Sequence, residues 1–214
     1  MVAPAQTVVS TATSSSATAV ATLGSTSTSG NTLFAFTWND SGLAVTSVTD
    51  DATPTNTYVE VSAVSGATSY GPSNASLWVA TSFRPAKNIT ANWSAAPSNE
   101  AIMAAEYPGN WTFSAANNAT NAAEPPDPDS GAFSNPAAGD LLLGPIAGFQ
   151  NPGSSWTSRL YSGPGLWQDK TASTASSSNH ATGTPGFDGW IIIGASFTSA
   201  SAPAPANTIF FNTD

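Results

Sequence analysis

GNTLFAFTWNDSGLAVTSVTD, residues 30–50, decides the fold class. Gly30-Asn31 is a turn signal, and the run Leu33-Phe34-Ala35-Phe36 after it closes on Trp38. Asn39-Asp40-Ser41-Gly42 breaks the chain again, and a second apolar stretch, residues 45–48, ends at Asp50-Asp51. β-Branched and aromatic residues bounded by Gly, Asn and Asp spell strand, turn, strand. The first run is too short for a typical helix and too aromatic to stand exposed, so the pattern predicts a hairpin with a buried strand. A related pattern returns at Gly139-Asp140-Leu141-Leu142-Leu143, with Trp156-Thr157-Ser158 standing where Val45-Thr46-Ser47 stood. These two regions are expected to supply the central strands of one β-sandwich.

Outward from there, short strand signals fill the chain. Residues 6–13 and 17–23 alternate small apolar residues with Thr and Ser, as modest edge strands do. Strands are predicted at 57–61, 76–80 and 89–93, the last alternating with period two. AIMAAEY, residues 101–107, has helical propensity, but Pro108-Gly109 cuts it short, so it too reads as a strand. Residues 117–136, with Glu124-Pro125-Pro126-Asp127-Pro128-Asp129, read as a loop, since proline removes ladder donors and fixes φ. Strands follow at 140–147, 159–161 and 166–170, and 171–186 reads as a polar loop. Trp190-Ile191-Ile192-Ile193-Gly194-Ala195-Ser196-Phe197 is near-continuously apolar, which marks a central strand. Ala202-Pro203-Ala204-Pro205 is a stiff spacer before Ile209-Phe210-Phe211, a last strand or a hydrophobic tail for a partner. The expected fold is all-β, a two-sheet antiparallel β-sandwich of jelly-roll type. It forms one domain over 1–214, with pseudo-repeated halves at about 5–113 and 131–211.

Composition excludes more than it selects. Charged residues make up 8% of the chain, against roughly 25% in ordinary soluble domains. The net charge of -9 reflects few cations: Arg84, Lys87, Arg159 and Lys170 are all of them. Four scattered cations cannot form the basic stripe that neutralises phosphates, so nucleic acid is excluded as a partner. The same deficit argues against docking on anionic membranes. No apolar run approaches the ~20 residues of a membrane span. There is no cysteine, hence no disulfide and no thiolate chemistry. Residues 1–6 lack the basic and apolar regions of a secretory signal.

Five motifs carry a resemblance. Gly30-Asn31-Thr32-Leu33, Val48-Thr49-Asp50, Ala105-Glu106-Tyr107-Pro108-Gly109, Ala138-Gly139-Asp140-Leu141-Leu142 and Gly189-Trp190-Ile191 are spread over nearly the whole chain. Together they resemble a family of uncharacterised jelly-roll-like β-sandwich domains found in phage virion proteins, such as minor tail or decoration proteins, and in secreted bacterial surface proteins. The resemblance implies a fold and an extracellular or virion-surface setting, not a chemistry. A start at Met1 and an end soon after the last strand tilt the expectation towards a stand-alone virion or assembly component.

Each candidate site has a plainer structural reading. Nucleophilic catalysis needs a base beside a Ser; His180 is the one histidine, in the polar run Ser177-Ser178-Asn179-His180, and no Gly-x-Ser-x-Gly elbow is present. Glu60, Glu106, Asp169 and Asp188 are carboxylates in or beside strands, where a glycosidase would need a pair. Glu106 stands out because AIMAAEYPG reads as buried; Arg84, Lys87, Lys170 or backbone amides are its expected partners. Calcium is the metal left open, with oxygens from Asp50 and Asp51 at a turn and from Asp127 and Asp129 in the long loop. Of seven tryptophans, Trp38, Trp78 and Trp190 read as core, while Trp111, Trp156 and Trp167 are candidates for a glycan or partner surface. Ile209, Phe210 and Phe211 are candidates for assembly, as is Val8-Val9. Asn-x-Ser/Thr sequons stand at Asn39, Asn74, Asn88, Asn92, Asn110 and Asn118. The expected function is a non-enzymatic structural or binding component of an extracellular particle that contacts copies of itself or other particle proteins. A secreted carbohydrate-binding or adhesion module is the alternative.

Overall fold

The computed structural model describes residues 2–12, 16–66, 72–81, 84–121, 127–148, 151–162, 165–184 and 189–200. Among these residues there is no helix, and every strand pairing is antiparallel. The chain is an all-β protein.

Residues 6–107 form eight strands: β1 (Gln6–Ala12), β2 (Thr18–Thr22), β3 (Thr32–Asn39), β4 (Val45–Asp50), β5 (Tyr58–Ser65), β6 (Asn74–Ala80), β7 (Asn88–Trp93) and β8 (Glu100–Tyr107). They make a five-stranded sheet ordered β1-β8-β3-β6-β5 and a three-stranded sheet ordered β2-β7-β4. The rest of the chain adds β9 (Trp111–Asn121), β10 (Asp129–Asn135), β11 (Leu141–Leu143), β12 (Ile146–Ala147), β13 (Asn151–Pro152), β14 (Thr157–Ser162), β15 (Gly165–Thr171), β16 (Ser176–Thr184) and β17 (Trp190–Ser199). Here β11 and β12 continue one another across Gly144-Pro145, since both pair with β15 on one side and β17 on the other. Taken as one strand, they stand in a large sheet ordered β14-β15-β11/β12-β17-β9, with a small sheet ordered β10-β16-β13.

The two strand sets are the same set. Written by position in its half, each has a large sheet ordered first-eighth-third-sixth-fifth and a small sheet ordered second-seventh-fourth. A jelly roll orders its strands 1-8-3-6 against 2-7-4-5. Neither half has that order: in both, the fifth strand, β5 or β14, lies in the large sheet and pairs with the sixth. The expected central strands, β3 and β11/β12, occupy the middle of the two large sheets. Each begins after a glycine with positive φ, Gly30 at 87° and Gly139 at 91°.

The number of sheets corrects the two-sheet expectation. Four sheets stack in layers, small-large-large-small, and three cores fill the gaps. Between the large sheets lie Phe34, Phe36, Leu77, Met103, Trp167 and Phe197 with their neighbours. Between β2-β7-β4 and the back of the first large sheet lie Leu33, Ile89, Trp78 and Trp93. Between β10-β16-β13 and the back of the second lie Phe133, Leu142, Trp156 and Ile192. The central strands of the large sheets are therefore covered on both faces, which is why β3, β6, β8 and the first eight residues of β17 are buried throughout. The seams of the central sandwich set β5 against β9 on one side and β1 against β14 on the other. First strand faces fifth strand at both, so the halves meet in a two-fold-like manner.

Three local expectations change. β3 and β4 are not a hairpin: β4 crosses to the small sheet and pairs with β7. Residues 117–136 are not one loop, because β9 runs through Asn121 and β10 occupies 129–135; residues 122–126 lie outside the described residues. Residues 171–186 contain β16. Each overlooked segment lies at the edge of a large sheet or in a solvent-facing small sheet. Short polar side chains suffice on the wet face there, and the backbone ladder supplies the order.

Candidate functional site

The three tryptophans expected at a ligand surface face inward. Trp111, Trp156 and Trp167 are 6%, 7% and 0% exposed. Each indole N–H already has an acceptor: the Pro108 carbonyl at 2.9 Å, the His180 carbonyl at 3.3 Å and the Tyr107 hydroxyl at 3.0 Å. Turn residues before Trp111 and Trp156 suggest loop tips, but the Trp111 indole turns back under its own turn and the Trp156 indole enters the third core, with Lys170 over its ring. None offers a face for a sugar ring.

The expected calcium carboxylates are spread over two regions. Asp50 closes β4 and accepts from the amides of Ala52 and Asn56, the Asn56 side chain and the Tyr58 hydroxyl. Asp51 accepts from the amides of Lys87 and Asn88 and from the Asn88 side chain. Burial works against the Asp51 charge, yet these hydrogen bonds outweigh it and hold the carboxyl below its usual range. Lone pairs committed to N–H and O–H donors are not free for a cation, so Asp50 and Asp51 tie β4 to its neighbours. Asp127 and Asp129 lie on the other half, beside and on β10. No group of three or more His, Cys, Asp or Glu among the described residues is arranged to hold a metal.

Glu106 is 2% exposed and partnered by amides rather than cations. It accepts from Gln6 Nε2 at 2.6 Å, the Thr28 amide at 2.7 Å and Asn31 Nδ2 at 2.6 Å. Asp169 is fully buried under a fork from Arg159 Nε, 2.8 and 2.9 Å to its two oxygens. The Tyr107 hydroxyl donates to Asp169 and accepts from Trp167. Burial pushes the Asp169 carboxyl up, against the opposing pull of Tyr107 and Arg159. Tyr107 belongs to the first half and the other three to the second, so this network joins the large sheets. Sequence reading missed it, although all four residues sit in strands that it had named.

One row has the outline of a hydrolase triad. His180 Nδ1 lies 2.8 Å from Asp129 Oδ1, and its Nε2 lies 3.5 Å from Ser178 Oγ. The surroundings of this row differ from those of a triad. Ser178 is exposed on a regular strand two residues from His180, and the Asp129 side chain is 50% exposed. A triad uses a buried, orienting carboxylate and oxyanion donors aimed at a bound carbonyl. Beside this row opens a cleft of ≈ 800 Å³, lined by Asp127, Asp129, Ser154, Thr182, Thr184 and Trp190. Ser178 and His180 do not line it.

The other notable surface lies along the seam of β5 and β9. A groove of ≈ 590 Å³ runs between Val59 and Val61 of β5, Val79 and Ala80 of β6, and Trp111 and Phe113 of β9. Val59 is 46% exposed and Phe113 39%, two of the four large apolar side chains exposed among the described residues. The opposite seam, β1 against β14, is covered. Val2 packs on the central core there, its amide donates to Thr171 Oγ1 at 2.8 Å, and Arg159 donates to its carbonyl at 3.2 Å. Val8 and Val9 of β1 pack into the two cores that flank the first large sheet. Ile209, Phe210 and Phe211 lie outside the described residues. Of the sequon asparagines, Asn39 and Asn74 are buried with their side chains hydrogen-bonded, which closes them to modification in the folded chain.

No family model, curated protein or solved structure matches the chain.

Proposed function

We propose that the chain is a non-enzymatic binding and assembly module, a structural β-sandwich component of an extracellular particle such as a virion surface or a filament. The observation that carries this reading is the uncovered seam between β5 and β9, where Val59 and Phe113 stand exposed over the central core. Apolar side chains lining a concave surface mark an interaction site, and its counterpart across the molecule is closed by Val2. A surface poor in cations and rich in hydroxyls supports a partner met by shape and apolar contact rather than by charge. The test is immunogold electron microscopy of the native source material. Label on virions or filaments is the expected result; label confined to soluble protein overturns the reading. Catalysis is tested separately with an activated ester: hydrolysis that Ser178→Ala abolishes would make the Ser178-His180-Asp129 row an active site.

A second reading, a carbohydrate-binding module, draws on the cleft at Asp127 and Asp129. Two carboxylates and three hydroxyls around one hollow match the vicinal hydroxyls of a sugar. Its polar groups, rather than the buried tryptophans, would do the recognising.

A further inference from the structure

We propose that the groove between β5 and β9 receives the Ile209-Phe210-Phe211 segment of a second copy of this chain. The proposal rests on the assembly reading above and gives it a donor and an acceptor.

The argument starts from where the described chain leaves the fold. β17 ends at Ser199, and the Ala200 amide donates to the Asn110 carbonyl at 2.8 Å. Asn110 is itself a lining residue of the groove. The chain therefore departs at the groove's own rim. Eight residues, 201–208, separate that point from Ile209, and Pro203 and Pro205 stand among them. Eight residues span at most about 28 Å, a reach that brings residues 209–211 within range of a neighbouring molecule.

The chemistry of donor and acceptor agrees. Ile209, Phe210 and Phe211 are three consecutive large apolar residues in a chain that otherwise ends on Asn, Thr and Asp. The acceptor offers the side chains of Val59, Val61 and Phe113 over buried Val79, and Glu60, Thr81, Asn110 and Thr112 also line it. The molecule already contains one example of such closure: an apolar residue outside the strands, Val2, seals the two-fold-related seam. The β5 edge carries a register break between Glu60 and Ser62, a device that blunts indiscriminate strand addition. Recognition is then by inserted side chains, not by a generic free edge.

The experiment is sedimentation of the full chain over a range of concentrations, alongside Phe210→Asp/Phe211→Asp and, separately, Val59→Asp and Phe113→Asp. The groove positions are partly exposed, so these variants are expected to keep the fold, which circular dichroism checks. Wild type is expected to self-associate with rising concentration. The tail variant and each groove variant should lose at least about tenfold in association constant. Mixing the tail variant, whose groove is intact, with a groove variant, whose tail is intact, should restore one-to-one dimers that grow no further. Wild type that associates while the tail variant associates equally well overturns this inference and leaves the assembly reading standing. Wild type that stays monomeric throughout overturns it too, and particle labelling then decides the assembly reading on its own.

Discussion

Glu100 is the residue that the fold serves worst. It opens β8, is 2% exposed, and neither carboxylate oxygen has a hydrogen-bond partner. It lies on the face of β8 that packs towards the first small sheet, where the Trp93 indole N–H is likewise without an acceptor. Burial pushes the carboxyl up, and the charge of Asp40 adds to the effect. The sign of the consequence is fixed. A carboxyl that binds its proton more tightly in the folded state contributes most below its unfolded pKa of about 4.3, and that contribution is lost as pH rises through the folded value. Glu100→Met should therefore raise the denaturation midpoint at pH 7, with the gap over wild type closing towards pH 4. The expected gain is about 1 kcal/mol, the low end for an unsatisfied buried group, because exposed Asn99 beside it leaves the cover thin. A variant less stable than wild type at pH 7 would mean that the carboxylate is partnered in solution.

At the scale of elements, legibility follows burial. β3, β8 and β17 were readable because both their faces are covered, so they spell continuous apolar runs. β9 and β16 were not: SAANNAT and SSSNHAT carry little hydrophobic signal, and pairing with β17 and β10 makes them strands. The groove was illegible for a different reason. Val59 and Phe113 come from strands in different halves, and nothing local to either announces the other. Trp111 and Trp156 misled because a tryptophan after turn residues looks like a loop tip, whereas these indoles, like that of Trp167 in its strand, lie inward on acceptors. The repeated Gly-Asn/Asp-x-Leu opening was legible and correctly placed. Its glycines make a paired prediction: Gly30→Ala and Gly139→Ala force an alanine into positive φ, which costs roughly 1–2 kcal/mol. Nothing lies within 4 Å of a Cβ added at either position. The two losses should then match in chemical denaturation, and unequal losses would mean that the halves do not share one strand-entry geometry.

For the whole molecule, the question is what keeps two sandwiches together. The central core does most of it, and the Tyr107-Asp169-Arg159-Trp167 network adds a polar tie across it. Tyr107→Phe deletes one hydroxyl, leaves the Trp167 N–H without its acceptor, and takes from Asp169 Oδ2 one of its two hydrogen bonds, the one from Arg159 remaining. A buried unsatisfied group costs about 1–3 kcal/mol, so the variant should unfold at clearly lower denaturant while its far-ultraviolet spectrum stays that of wild type. A loss below about 0.5 kcal/mol would show that the hydroxyl only fills space. The two-fold-like pairing of the halves has a consequence of its own. Two identical separate chains meeting in this way would present two equal seams, both open or both shut. Joining the halves in one chain lets Val2 shut one seam while the other stays open. A molecule with a single open seam has a front and a back, and under the tail-to-groove proposal above successive contacts would all run in one direction.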